Sequence, residues 1–202
     1  MRNIAVLYGG SSQHQRTYKD SEFAVYINQC VPIYEFATAS LDDVDVLIIP
    51  SQTHAKYLHQ NIEKIYDFAN RGKIVVTLGS QTEEWLPAHQ WEFRPTNFWW
   101  WLDPNAHSGL KLTTQSNELF TKYLTIEDAT WHQHGVYWPT ADCEVLLATT
   151  DGAAVFYIDR VNTNGVWINT TLDPDFHFGS YFMPATTRFL RGFLPWLKEG
   201  EI

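Results

Sequence analysis

The feature that most constrains this chain is an alternation in its first half. Short runs that are apolar on both faces alternate with longer stretches whose apolar residues recur at helical spacing. The runs are residues 3–8 (NIAVLY), 32–36 (PIYEF), 44–50 (VDVLIIP) and 73–78 (KIVVTL). Between them, residues 17–29 carry Tyr18, Phe23, Ala24, Tyr26 and Ile27, and residues 54–70 carry Tyr57, Leu58, Ile62, Ile65, Tyr66 and Phe68. The second stretch closes on Arg71-Gly72, a basic last turn followed by a glycine that can end a helix. Strands apolar on both faces need cover on both faces, so this order predicts a parallel sheet with helices on either side. Right-handed crossovers make it a doubly wound α/β fold, flavodoxin-like in outline. In such sheets ligands bind beyond the carboxyl ends of the strands. Those ends are residues 8–12, 50–54 and 77–83.

The second half reads differently. Residues 85–104 are rich in Trp and Pro and predict an irregular, lid-like insertion, bounded at about 85–115. Residues 117–124 predict a short helix with Ser116 as its cap. Residues 144–149 and 153–160 flank Thr150-Asp151-Gly152, and the Asp-Gly pair predicts a late β-hairpin. A further strand over 165–171 and a closing helix over 186–198, with Pro195 late inside it, complete a single domain over 1–202.

Charge and composition exclude several functions. The 202 residues contain 23 acidic and 14 basic side chains, a net charge of −9. A nucleic-acid binder needs a basic face to neutralise phosphates, and an anionic membrane repels this sign. At 45% apolar the chain can bury a core, which excludes disorder. The apolar run Ile4–Tyr8 is too short for a signal-peptide core, and no run approaches a membrane span. Cys30 and Cys143 are the only cysteines and do not form a disulfide framework. A cytoplasmic protein is expected.

Four features, taken together, carry a resemblance. They are the parallel first half, a strand ending in a sharp turn near residue 77, the late hairpin, and a final strand running into Asp173-Pro174-Asp175. The chain resembles the class I glutamine amidotransferase-like superfamily, and within it the ThuA-like branch. The resemblance implies a nucleophile in Val75-Val76-Thr77-Leu78-Gly79-Ser80-Gln81, where Thr77 stands at the family's cysteine. It places the oxyanion loop on Pro50-Ser51-Gln52, and the family's late histidine motif on Asp173-Pro174-Asp175. All three depart from the amidotransferase pattern. A threonine hydroxyl is a far weaker nucleophile than a thiolate, and an aspartate is a weak base at neutral pH. Glutamine hydrolysis is therefore not expected.

Residues that could carry other chemistry lie nearby. In an extended segment His132 and His134 share a face, and with Asp173 they are candidate ligands for a divalent metal such as Zn or Fe. A site without any metal is an equal expectation, with His132 or His134 as acid or base and Asp173 orienting it. Asp175, His177 and His107 are further candidates. Gly10 and Ser11, Ser51 and Gln52, and Ser80 and Gln81 occupy the strand-end loops as candidate ligand contacts. Trp99, Trp100 and Trp101 offer aromatic faces for a sugar ring. Two readings follow. One is a small polar ligand, a sugar derivative among the candidates, held at the strand ends with His-based acid–base or hydrolytic chemistry. The other is a non-catalytic interaction module whose Trp-rich surface drives homo-oligomer or partner contacts.

Overall fold

The structure is a computed structural model, and it describes the chain apart from residues 84, 88, 96–106, 114–116 and 182. Trp99, Trp100, Trp101 and the candidate cap Ser116 lie outside the described residues. In chain order the strands are β1 (Ile4–Tyr8), β2 (Gln29–Pro32), β3 (Val46–Ile49), β4 (Ile74–Thr77) and β5 (His89–Phe93). They continue as β6 (Leu110–Leu112), β7 (Gly135–Pro139), β8 (Glu144–Thr149), β9 (Ala154–Asp159) and β10 (Val166–Thr170). The α-helices are α1 (Ser12–Tyr18), α2 (Ala55–His59), α3 (Ile62–Asn70), α4 (Pro174–Gly179) and α5 (Pro184–Glu199).

These strands form one mixed sheet. Strands β2, β1, β3, β4 and β10 lie side by side and parallel, in that order. Beyond β10 the ladder turns antiparallel through β9, which pairs with both β8 and β7; β5 and β6 extend the edges. This is the α/β architecture that the apolar runs imply. Its two-layer cover follows from the period of two along each strand. Ile4, Val6, Ile48, Val76 and Ile168 face Phe189, Phe193 and Trp196 of α5. Ala5, Leu7, Leu47, Ile49 and Val75 face the other way, onto Leu58, Ile65 and Phe68 of α2 and α3.

Local departures from the sequence reading have local causes. The helix expected over 17–29 begins earlier, at Ser12, where the Ser11 side chain accepts the His14 N–H as a cap. It ends at Tyr18, and Ser21 caps a separate 3₁₀ turn, Glu22–Tyr26. The second strand is Gln29–Pro32, so Ile33 to Phe36 turn away from the sheet. The helix expected over 54–70 divides at Asn61, whose side-chain amide donates to the Tyr57 carbonyl. Residues 119–123 wind as a π-helical turn, not an α-helix. Residues 89–93, read as part of an irregular stretch, pair as a strand with β7. The hairpin of β8 and β9 is present, with a bulge near Leu147. Helix α5 runs through Pro195 without ending. No helix among the described residues is long and apolar enough to cross a membrane.

Candidate functional site

The carboxyl ends of β1, β3, β4 and β10 meet at one point, and a glycine makes the meeting possible. Gly79 follows β4 with φ +75°, in the left-handed region. A Cβ there would stand 2.7 Å from the Ser51 Cβ. The Gly79 N–H donates to the Leu172 carbonyl at 2.7 Å, and the Tyr137 hydroxyl donates to the Gly79 carbonyl at 3.3 Å. The loops after β3, β4 and β10 are thereby locked together.

Asp175 pins the same junction from below. Its carboxylate is fully buried and accepts the Ser51 N–H at 3.0 Å and the Ser51 hydroxyl at 2.7 Å. His14 Nε2 donates to the Ser51 carbonyl at 2.9 Å and lies 3.9 Å from Asp175 Oδ2, while Nδ1 accepts the Gly9 N–H. Burial raises the Asp175 carboxyl above the usual range, and the bonds it accepts from Ser51 only partly offset this. Ser, His and Asp thus assemble, but not as a nucleophilic triad. The hydroxyl donates to the acid instead of to the imidazole, and both ring nitrogens of His14 face backbone groups.

A second cluster lies beside it, built from the β10–α4 turn and the segment leading into β7. Asp173 takes the N-cap position of α4, yet its side chain makes no capping bond. Oδ1 instead accepts the Trp131 indole N–H at 3.1 Å and lies 3.3 Å from His177 Nε2, one helical turn on. The His132 ring meets the His177 ring edge-on at 4.7 Å between centroids, and His134 lies 5.5 Å from His132. Burial opposes ionisation of Asp173, but the His177 hydrogen bond and charge and the Trp131 N–H outweigh it, holding the carboxyl below its ordinary value. For His132, burial and then the neighbouring His177 lower the pKa to about 4. His132 is therefore a neutral ring at pH 7.

This cluster opens on a cavity of about 310 Å³, lined among the described residues by Arg16, His177, Phe178, Tyr181, Met183, Pro184 and Thr187. Of the expected site residues, His177 alone lines it. Asp173, His132 and His134 stand in or beside the cluster behind it. The other candidates are used elsewhere. Thr77 is buried within the sheet and donates to Asn169 Oδ1 at 2.7 Å, and the left-handed elbow of this strand end falls on Gly79, which has no side chain. Thr77 is thus no exposed nucleophile. Gly10 is an exposed turn with φ +79°, and Ser11 is the cap of α1. Gln52 is exposed with φ +56°, whereas Ser51 is held by Asp175. Gln81 is buried, accepting from Trp85 and donating to the Leu78 carbonyl. Together with Ser80 it lines a separate, smaller cavity of about 80 Å³.

Among the described residues no group of three or more His, Cys, Asp or Glu side chains is placed to hold a metal ion. His132, His134 and Asp173 do not form such a set; the Asp173 oxygen is turned to Trp131 and His177. Arg16 and Tyr181 escaped the sequence reading. Nothing in the sequence joins an α1 arginine to a residue after α4. The pairing of Asp173 with His177 had a signal: Asp-Pro starts a helix, and four residues on, the histidine shares its face.

No family model and no curated protein matches the sequence. Solved structures do. One is a cytoplasmic protein from Salmonella typhimurium LT2, 10% identical with a TM-score of 0.54, over 98% of this chain and 100% of that one. The β-galactosidase of Bacillus circulans sp. alkalophilus is similar at 12% identity and a TM-score of 0.50, covering 96% of this chain and 30% of the enzyme. The exo-β-1,4-mannosidase Op5Man5 of Opitutaceae bacterium strain TAV5 is similar at 10% identity and a TM-score of 0.53, covering 98% and 36%. The chain therefore spans about a third of the length of either glycosidase. At these identities the likeness is one of fold, and it joins this chain to α/β structures of the same architecture.

Proposed function

We propose that this protein binds a small polar ligand in the cavity at the carboxyl end of its sheet and transfers protons to or from it through His177. The observation that carries this reading is the Asp173–His177 pair at the cavity wall, 3.3 Å apart and nearly excluded from water. Asp173 stands against Nε2 and orients the ring, the arrangement that an acid–base histidine uses. His132 is unsuited to the role of base, because a group with a pKa of about 4 is a weak base at pH 7. It packs against His177 as a neutral neighbour.

In this reading the scaffold is an amidotransferase-like one without glutaminase activity. Gly79 at the elbow brings no nucleophile, and Thr77 is committed to Asn169. Sugar derivatives remain the favoured ligand class, in keeping with the glycosidase neighbours and the Tyr181 ring at the cavity. The cytoplasm is the proposed location, in keeping with the Salmonella neighbour.

The test is turnover of a panel of nitrophenyl esters and glycosides by the native protein and by the His177→Gln and Asp173→Asn variants. We expect turnover of at least one substrate, reduced about 100-fold or more by His177→Gln, within the usual range for acid–base groups. No turnover across the panel, or turnover equal in all three proteins, would overturn the reading.

A further inference from the structure

The charge distribution around the cavity points to the chemical class of its ligand. Five of the seven arginines have a carboxylate within 4 Å: Arg71, Arg94, Arg160, Arg188 and Arg191. Arg2 spends its guanidinium on the Leu197 and Gly200 carbonyls at the end of α5. Arg16 differs. Among the described residues no Asp or Glu lies within 4 Å of it, although acidic residues outnumber basic ones by 23 to 14. It lines the 310 Å³ cavity together with His177.

Its position is built. The guanidinium carbon lies 3.3 Å from the Tyr181 ring centroid and 4.9 Å from that of Phe178, and Nε donates to the Phe178 carbonyl at 3.4 Å. Tyr181 holds a left-handed backbone, φ +60°, which is unfavourable for a non-glycine residue. Gly179 lets the end of α4 approach α1 so closely that a Cβ would meet Gln13 Cα at 2.5 Å. The two rings and the Phe178 carbonyl hold the guanidinium by its Nε and central carbon, and a guanidinium held in this way can receive an anion in a forked pair of hydrogen bonds through its terminal N–H groups.

We infer that the cavity takes a ligand bearing a single carboxylate, received by Arg16 while His177 faces its reactive part. The inference rests on the acid–base reading for the role of His177. A carboxylate fits better than a phosphomonoester. One guanidinium balances one negative charge, whereas a phosphomonoester carries nearly two at neutral pH and would enter a chain of net charge −9 with its second charge unmatched.

The test is a thermal-shift screen at pH 7, followed by calorimetric titration. The probes are glucuronate, galacturonate, lactate and acetate, with glucuronamide, glucose and inorganic phosphate as controls. We expect at least one carboxylate to raise the melting midpoint of the native protein, with no shift from its neutral counterpart. Arg16→Gln should weaken that binding about 10-fold or more, as expected for a lost charged hydrogen-bond pair. Arg16→Lys should recover part of it, which separates loss of charge from loss of folding. Arg191→Gln changes net charge equally, away from the cavity, and should bind as the native protein does. A panel without any carboxylate-specific shift, tighter binding of phosphate than of every carboxylate, or equal affinity in Arg16→Gln would overturn the inference. His177-dependent turnover with no carboxylate binding would sink the anion subsite alone. Arg16-dependent binding with no His177-dependent turnover would sink the acid–base reading alone.

Discussion

His132 shows how a single side chain carries a pH dependence out of its surroundings. Burial and the adjacent His177 hold its pKa at about 4, against 6.5 for an ordinary histidine. Above pH 6.5 the ring is neutral folded or unfolded, so the stability it contributes is fully present. As pH falls from 6.5 towards 4 the unfolded chain takes up a proton that the folded chain refuses, and stability declines. Urea denaturation between pH 7.5 and 4.5 should show this loss, and His132→Gln should flatten the slope across that window. A variant slope equal to the native one would contradict the placement of His132. Gly79 is the second residue on which the site turns. Gly79→Ala forces a Cβ against Ser51 at a left-handed backbone, so a loss of about 2 kcal/mol or more is expected in the same denaturation experiment. Both histidines of the 132–134 motif were legible in the sequence as candidates. Their ranking was not, because burial and ring neighbours decide basicity and no spacing rule encodes them.

At the level of elements, the loops beyond β1, β3 and β10 are held together by one carboxylate. Asp175 in α4 accepts both groups of Ser51, and His14 of α1 sits against the same serine. Asp175→Ala strands a buried N–H and hydroxyl and should cost about 2–4 kcal/mol in denaturation, with turnover lost as the strand ends separate. Thr77→Val removes only a hydroxyl that spans β4 and β10, and should cost about 1–2 kcal/mol without changing chemistry. Activity lost selectively in that variant would restore the threonine as a nucleophile. The central strands were legible because they are apolar on both faces. The chain breaks were less so. At the ends of α1 and α2 the Ser21 hydroxyl donates to the Thr17 carbonyl and the Asn61 amide to the Tyr57 carbonyl, and residues of these types suit a helix start as well. Strand β5 was missed because His-Gln-Trp-Glu-Phe at a sheet edge has no two-sided apolar signature; its pairing with β7 is a tertiary fact.

Across the whole molecule, the α/β layering follows from the sequence, since the period of two along β1, β3 and β4 sorts side chains onto two helical layers. The site is less legible at this scale. It joins α1, the residues before β7 and the turn after α4, and these meet only because the parallel strands end together. The expected elbow at Thr77 falls on Gly79, so assays for glutamine hydrolysis should find none; activity that co-purifies and disappears in Thr77→Ala would contradict this. His132, His177 and Asp173 share one buried cluster at the strand ends. Nitrogen-15 NMR titration of the histidine side chains, with resonances assigned by His132→Gln and His177→Gln, tests it most directly. The cluster predicts a His132 ring that stays neutral until pH approaches 4 and a His177 signal displaced by Asp173→Asn. A His132 ring that titrates near 6.5, with His177 indifferent to Asp173, would contradict it.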